Sequence, residues 1–160
     1  MSEPTPWAPG PPSVADSPVL ATWPEELRTV ADVTAARRRL RAGAQASRGD
    51  DDDGGNGDDG GGDDGDVERL LLAFEELASN GVRHGRAPVR ATVTAYGSGW
   101  LIEVSDAAPE VSPVPAHDRD PAAGGLGLHL VAGLCAASGW WADGERKHVW
   151  AFLAAAVVGG

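Results

Sequence analysis

Cysteine is nearly missing from this chain: 160 residues contain one, Cys135. No internal disulfide can form, which suits a reducing compartment. Standing between Leu134 and Ala136 in a helical pattern, it reads as a buried, inert thiol. Lysine is equally scarce, with Lys147 the only one among 13 basic residues. No basic stripe for nucleic acid is present. Long apolar runs are also lacking, and none reaches the roughly 18 residues of a membrane span. The opening Met1-Ser2-Glu3-Pro4 lacks the basic-then-apolar order of a secretory leader. The four histidines, His84, His117, His129 and His148, have no zinc-ligand spacing. The expectation is a soluble cytoplasmic protein that contacts neither a membrane nor nucleic acid directly.

What is present is enough for one domain. The length is ordinary for a single domain, and an apolar fraction of 42% can fill one core. Charge is distributed unevenly. Residues 48–66 hold nine Asp against Arg48, a local charge of -8, so the net -11 leaves only -3 elsewhere. Glycine entropy and like-charge repulsion both oppose order in that tract. It does not fit the helix-loop-helix calcium spacing. A glycine-rich nonapeptide repeat occurs once, imperfectly, at residues 54–62, with Gly61 where a large apolar residue belongs. A flexible insertion is the expectation. Residues 1–17, rich in Pro and Ser, read as a disordered tail. The single folded unit spans residues 18–158.

Residues 19–23 suggest a short edge strand. Pro24-Glu25-Glu26 then has the marks of a helix start, and that helix is expected to reach about Gln45. Arg37-Arg38-Arg39 and Arg41 lie near its end, where cations offset the dipole; a docking surface for an acidic partner is the other reading. Residues 67–83 are the clearest helix. Val67, Leu70, Leu71, Phe74, Leu77, Ala78 and Val82 recur at helical spacing, with Glu76, Asn80 and Arg83 as a polar stripe opposite. Gly85 is suited to cap its end. Val89, Ala91, Val93 and Ala95 alternate with polar residues, as do Trp100, Ile102 and Val104, and Gly97-Ser98-Gly99 between them predicts a hairpin. Residues 107–123 read as a loop, residues 126–138 as a second core helix. Trp140 and Trp141 begin another strand, and residues 145–157 end in one that pairs back. This order predicts an α+β two-layer sandwich, with helices on one face of a mixed, mainly antiparallel sheet.

Three segments carry candidate chemistry. Asn80 offers a hard carbonyl oxygen of the kind Mg²⁺ accepts. Glu76, one turn earlier, can orient or deprotonate a hydroxyl attacking a γ-phosphate. Taken alone, such a pair on a solvated helix face is commonplace. Asp106, at a strand end, can accept a hydrogen bond from an exocyclic amine such as adenine N6, or simply shape the turn before Pro109. Gly124-Gly125-Leu126-Gly127-Leu128 opens a helix, where bare backbone amides attract phosphate. It matches neither the Walker pattern nor the dinucleotide fingerprint.

Together, Glu76…Asn80…Arg83-His84-Gly85, Asp106-Ala107-Ala108-Pro109, Gly124–Leu128 running on through His129-Leu130-Val131, and Lys147-His148-Val149-Trp150-Ala151 resemble the boxes of the GHKL superfamily of ATP-binding domains. The likeness is closest to the small anti-sigma-factor-type serine kinases of bacteria, and covers roughly residues 19–155 apart from the insertion. The resemblance implies a Bergerat-type, histidine-kinase-like ATPase domain that binds ATP with Mg²⁺. Asn80 would hold the metal. Asp106, reading adenine, and Pro109 would belong to the first glycine box, and backbone at Gly125, Gly127 and Leu128 would hold phosphates, with Glu76 as general base. Implied partners are a sigma factor and an anti-anti-sigma protein that is phosphorylated on serine, and the resemblance leaves room for a homodimer. Three departures stand out. Leu126 replaces an arginine common in the family, Ala122 and Ala123 stand where a basic residue often precedes the glycines, and His148 replaces a threonine. Arg119 is the nearest cation. Nucleotide binding is expected to tolerate these changes better than catalysis.

Overall fold

The fold follows from two amphipathic helices that need one sheet face to cover them. The computed structural model describes residues 8–10, 12, 18–49, 61–110, 131 and 133–154. Strand β1 is Ala8–Pro9 and β2 is Val19–Leu27, followed by helices α1, Val30–Gly49, and α2, Gly61–His84. Strands β3, Val89–Tyr96, and β4, Gly99–Asp106, form the hairpin, and β5, Ala137–Ala142, and β6, Lys147–Ala154, complete the sheet. Its order is β1-β5-β6-β4-β3-β2. Every neighbouring pair is antiparallel except β1 with β5, which is parallel. The expected α+β sandwich with a mixed, mainly antiparallel sheet is what forms.

Alternation decides which sheet face is covered. Val89, Ala91, Val93 and Ala95 of β3, Trp100, Ile102 and Val104 of β4, and Val149, Ala151 and Leu153 of β6 are all buried in the core. Against them pack Val33, Ala36, Leu40 and Ala44 of α1 and Leu70, Leu71, Phe74, Leu77 and Ala78 of α2. Burying each large apolar side chain contributes about 1.5–3 kcal/mol, so this shared face dominates stability. Gly81 brings α2 close to the sheet: a Cβ there would stand 3.0 Å from Val104 Cγ1 and 3.2 Å from Val89 Cγ1.

Several expected boundaries move. Pro24 does not open a helix; it lies within β2, paired with Thr92. An edge strand tolerates a residue without an N–H, so the proline marks no break. The helix starts six residues later, where Thr29 and Asp32 cap each other. Asp32 N donates to Thr29 Oγ1 at 3.3 Å, and Asp32 Oδ2 accepts from Thr29 N at 3.1 Å and Arg28 N at 2.8 Å. The last six residues of the Asp/Gly tract are helical, since α2 begins at Gly61. Asp66 there is buried and paired with Arg69. Residues 50–60 lie outside the described residues. Within the expected tail, Ala8–Pro9 forms β1, and Trp150 Nε1 donates to Gly10 O at 2.8 Å.

The helix expected over residues 126–138 stops sooner. Val131, Gly133 and Leu134 are helical, but Ala136 N already donates to Phe152 O at 2.9 Å and Ser138 is in β5. The arginine cluster is largely paired within the fold. Arg39 holds Glu25 through two bonds of 2.7 and 2.8 Å, Arg41 meets Glu68 at 2.7 Å, and Arg37 meets Glu75 at 3.5 Å. These pairs clip α1 to β2 and α2. No described helix is long and apolar enough to cross a membrane.

Candidate functional site

Glu76 and Asn80 sit on a flank of α2 that α1 does not take. The ion pairs to Glu68 and Glu75 mark the α1 side. At about 100° per residue, Glu76 and Asn80 fall roughly a third of a turn from it. Both are half-buried, whereas Arg83 is exposed. The two are therefore not ordinary solvated surface. One helical turn separates them, about 6 Å along the axis.

The end of α2 then runs directly into the strand end that carries Asp106. Gly85 N donates to Gly81 O at 2.9 Å, continuing the helical ladder. The φ of Gly85 is not positive, so no left-handed cap explains the glycine. Close approach explains it: a Cβ at Gly85 would lie 2.5 Å from Gly81 O and 2.7 Å from Asp106 Oδ2. The next residues continue the contact. Ala107 N donates to Arg86 O at 2.8 Å, and Arg86 Nη1 to Ala107 O at 3.2 Å. Arg146, just before β6, adds a clamp, donating to Pro88 O at 2.7 Å and to Ser105 Oγ at 2.9 Å. Two segments 21 residues apart in sequence are thus locked side by side.

Asp106 is buried at 2% exposure. Its Oδ1 accepts from Ala108 N at 2.8 Å, shaping the turn that leads to half-buried Pro109. The turn-shaping reading of this residue therefore holds, and its carboxylate is buried. Its Oδ2 meets Lys147 Nζ at 3.4 Å, both side chains being almost fully buried. Register explains the meeting, because Asp106 and Lys147 are directly opposed on β4 and β6. Sequence reasoning passed over Lys147 and weighed His148 instead. His148 lies on the opposite sheet face, stacked on Trp141 with ring centroids 4.0 Å apart and bonded to Asp143 at 3.2 Å. A signal existed: Lys147 begins the row Lys147, Val149, Ala151, Leu153, whose other members are core residues.

The structure thus brings together the end of the Glu76–Asn80 helix and Asp106. Gly124, Gly125, Leu126, Gly127 and Leu128, with Arg119, Ala122 and Ala123, lie outside the described residues. A buried carboxylate at a sheet end thus lies beside the end of a helix that carries a half-buried amide and a half-buried carboxylate. Residues 24–152 match the histidine kinase-like ATPase domain, and the chain belongs to that family. No curated protein matches it. With the family comes ATP as the nucleotide.

The side chains present fit that ligand. Asp106 has acceptor capacity beyond its two described contacts, and Asn80 supplies a hard oxygen. Among the described residues no three His, Cys, Asp or Glu side chains gather into a metal cage. Mg²⁺ needs none, because it takes most of its ligands from phosphate and water.

Proposed function

We propose that this ATP-binding domain is an anti-sigma-factor-type protein serine kinase. It would transfer the ATP γ-phosphate to a serine of an anti-anti-sigma partner and sequester a sigma factor. The observation that supports this most is the direct packing of Gly85, at the end of the Glu76–Asn80 helix, onto Asp106. Base recognition and phosphate chemistry then share one rigid unit.

In this reading Asp106 accepts from the adenine 6-amino group and Asn80 holds Mg²⁺, which neutralises phosphate charge when bound. Glu76 accepts the serine proton as Oγ bonds to the γ-phosphorus. The bond from that phosphorus to the bridging oxygen breaks, and ADP carries the electron pair away. Backbone amides at Gly125, Gly127 and Leu128 would hold phosphates.

Glu76→Gln preserves shape and removes the base. ATP affinity should survive while phosphoryl transfer falls roughly 10²–10⁴-fold. Equal transfer rates in both proteins would reject Glu76 as the base. Asn80→Ala and Asp106→Asn should each weaken Mg-ATP binding in calorimetry, and unchanged affinity in both would reject the site.

A second reading is a nucleotide-gated interaction module without kinase activity. Ala122, Ala123 and Leu126 favour it, since no cation stands at those positions. ATP binding by a wild type that leaves its confirmed partner unphosphorylated would decide for the module.

A further inference from the structure

Lys147 is 4% exposed, and lysine is almost never buried so fully unless it is paired. It occupies a core-facing position in β6, in line with Val149, Ala151 and Leu153. Its ammonium stands 3.4 Å from Asp106 Oδ2. Stability alone is a poor reason for this pair. Desolvating two charges can cost more than their attraction returns, and an apolar pair of similar volume often does as well or better. Among the described residues the pair also leaves capacity unused. An ammonium has three N–H donors and a carboxylate about four acceptor positions. Among the described residues Asp106 is the one ion-pair partner of Lys147, while Asp106 is occupied by Lys147 and Ala108 N. A charged donor and a charged acceptor therefore stand side by side at the sheet end.

The Watson–Crick edge of adenine is the complement of that pair. Its 6-amino group donates, and the adjacent N1 accepts. We propose that Lys147 is a specificity-determining residue that donates to adenine N1 while Asp106 accepts from the 6-amino group. This rests on the nucleotide reading of the site. The two side chains then read two neighbouring atoms of the base. The ion pair between them holds both in position before the nucleotide arrives.

The test uses the full chain and calorimetric titration with Mg²⁺ present. The probes are ATP, GTP, 1-deaza-ATP, which has carbon in place of N1, and purine riboside triphosphate, which lacks the 6-amino group. A hydrogen bond to a charged group is worth enough that each altered probe should bind the wild type roughly ten- to hundredfold more weakly than ATP. Lys147→Met keeps the length and removes the ammonium. That variant should bind ATP more weakly and no longer distinguish ATP from 1-deaza-ATP, while still disfavouring purine riboside triphosphate. Equal binding of ATP and 1-deaza-ATP by the wild type would overturn the role of Lys147. The penalty for purine riboside triphosphate would then still uphold Asp106 and the nucleotide reading. Preference for GTP over ATP would overturn the adenine assignment, and absence of any nucleotide binding would overturn both readings. Should Lys147→Met fail to fold, the wild-type series with 1-deaza-ATP decides the matter alone.

Discussion

Gly85→Ala tests the central packing claim with a single methyl group. The added Cβ would stand 2.5 Å from Gly81 O, about 0.9 Å inside the 3.4 Å at which ordinary contact begins. It would also stand 2.6 Å from Asp106 Cγ. Neither neighbour yields easily. Gly81 O belongs to the helix backbone, and Asp106 is held by Ala108 N at 2.8 Å and by Lys147. Overpacking of this kind costs about 1–3 kcal/mol. Alanine restricts the unfolded chain more than glycine, which returns at most about 1 kcal/mol where the backbone suits it. The clash should win. The melting temperature should fall by roughly 3–12 °C, and ATP affinity by about tenfold as Asp106 is pushed from its place. Scanning calorimetry and ATP titration measure the two effects. Gly97→Ala is the control, because nothing lies within 4 Å of a Cβ there. If Gly85→Ala matched the wild type in both measurements, the packing of this loop onto Asp106 would be refuted.

Other consequences can be measured as directly. Burial pushes the Glu103 carboxyl above its usual range, with His148 opposing the shift. The ionised form is thus disfavoured in the fold, and that penalty disappears as pH falls below both the folded and unfolded values. Glu103→Gln should therefore raise the melting temperature at pH 7, with the gain shrinking toward pH 4; a constant gain would reject the cause. Thr29→Ala removes a helix cap and should lower stability by about 1 kcal/mol, seen in the urea midpoint. Backbone N–H groups of Arg28 and Thr29 hold the Asp32 carboxyl below its usual value. Its contribution is present above the ordinary carboxylate range and is lost as pH falls through the folded value. Asp32→Ala should accordingly be less stable than wild type at pH 7, with a deficit that closes in strong acid. Burial pushes the Cys135 thiol up to about 12. Native protein at pH 8 should resist maleimide that labels the unfolded chain at once, and prompt native labelling would contradict this.

The parts of the fold that were legible in the sequence are those built from local periodicity. Helical spacing from Val67 to Val82 identified α2, and alternation from Val89 to Val104 identified the hairpin, because each pattern is set by one apolar face. Boundaries were harder. Pro24 looked like a helix start, yet at the rim of a sheet its missing N–H removes nothing that pairing needs. The true start depended on Thr29 and Asp32, a reciprocal pair close enough to find but overshadowed by the proline. Glycine and aspartate at residues 61–66 argue against a helix on propensity, and the strongly apolar segment that follows overrides them. Asn80 stood out as a candidate by its chemical type, Glu76 by its place one turn earlier, and Asp106 by its position at a strand end. Lys147 was not, since its meaning comes from lying opposite Asp106 in a pairing between residues about forty apart. The register of β6 against β4 cannot be read from either strand alone. The same holds for β1, two residues long and paired only through contacts across the whole chain.

Among the described residues β2 has a neighbour on one side only, which has a consequence for how copies of this protein behave when crowded. A strand with one unpaired side is a template on which another chain can add, and growth of that kind leads to aggregates. Val19 and Leu20 at its start are exposed, at 59% and 65%, which makes that end the more adhesive one. Pro24 interrupts the line of donors partway along, and the acidic Glu26 beyond it is exposed. An incoming strand would find a gap in its ladder and then negative charge. The same proline would thus hinder strand addition along this side of β2. Replacing it with valine would leave the fold intact while shortening the time before concentrated solutions turn cloudy.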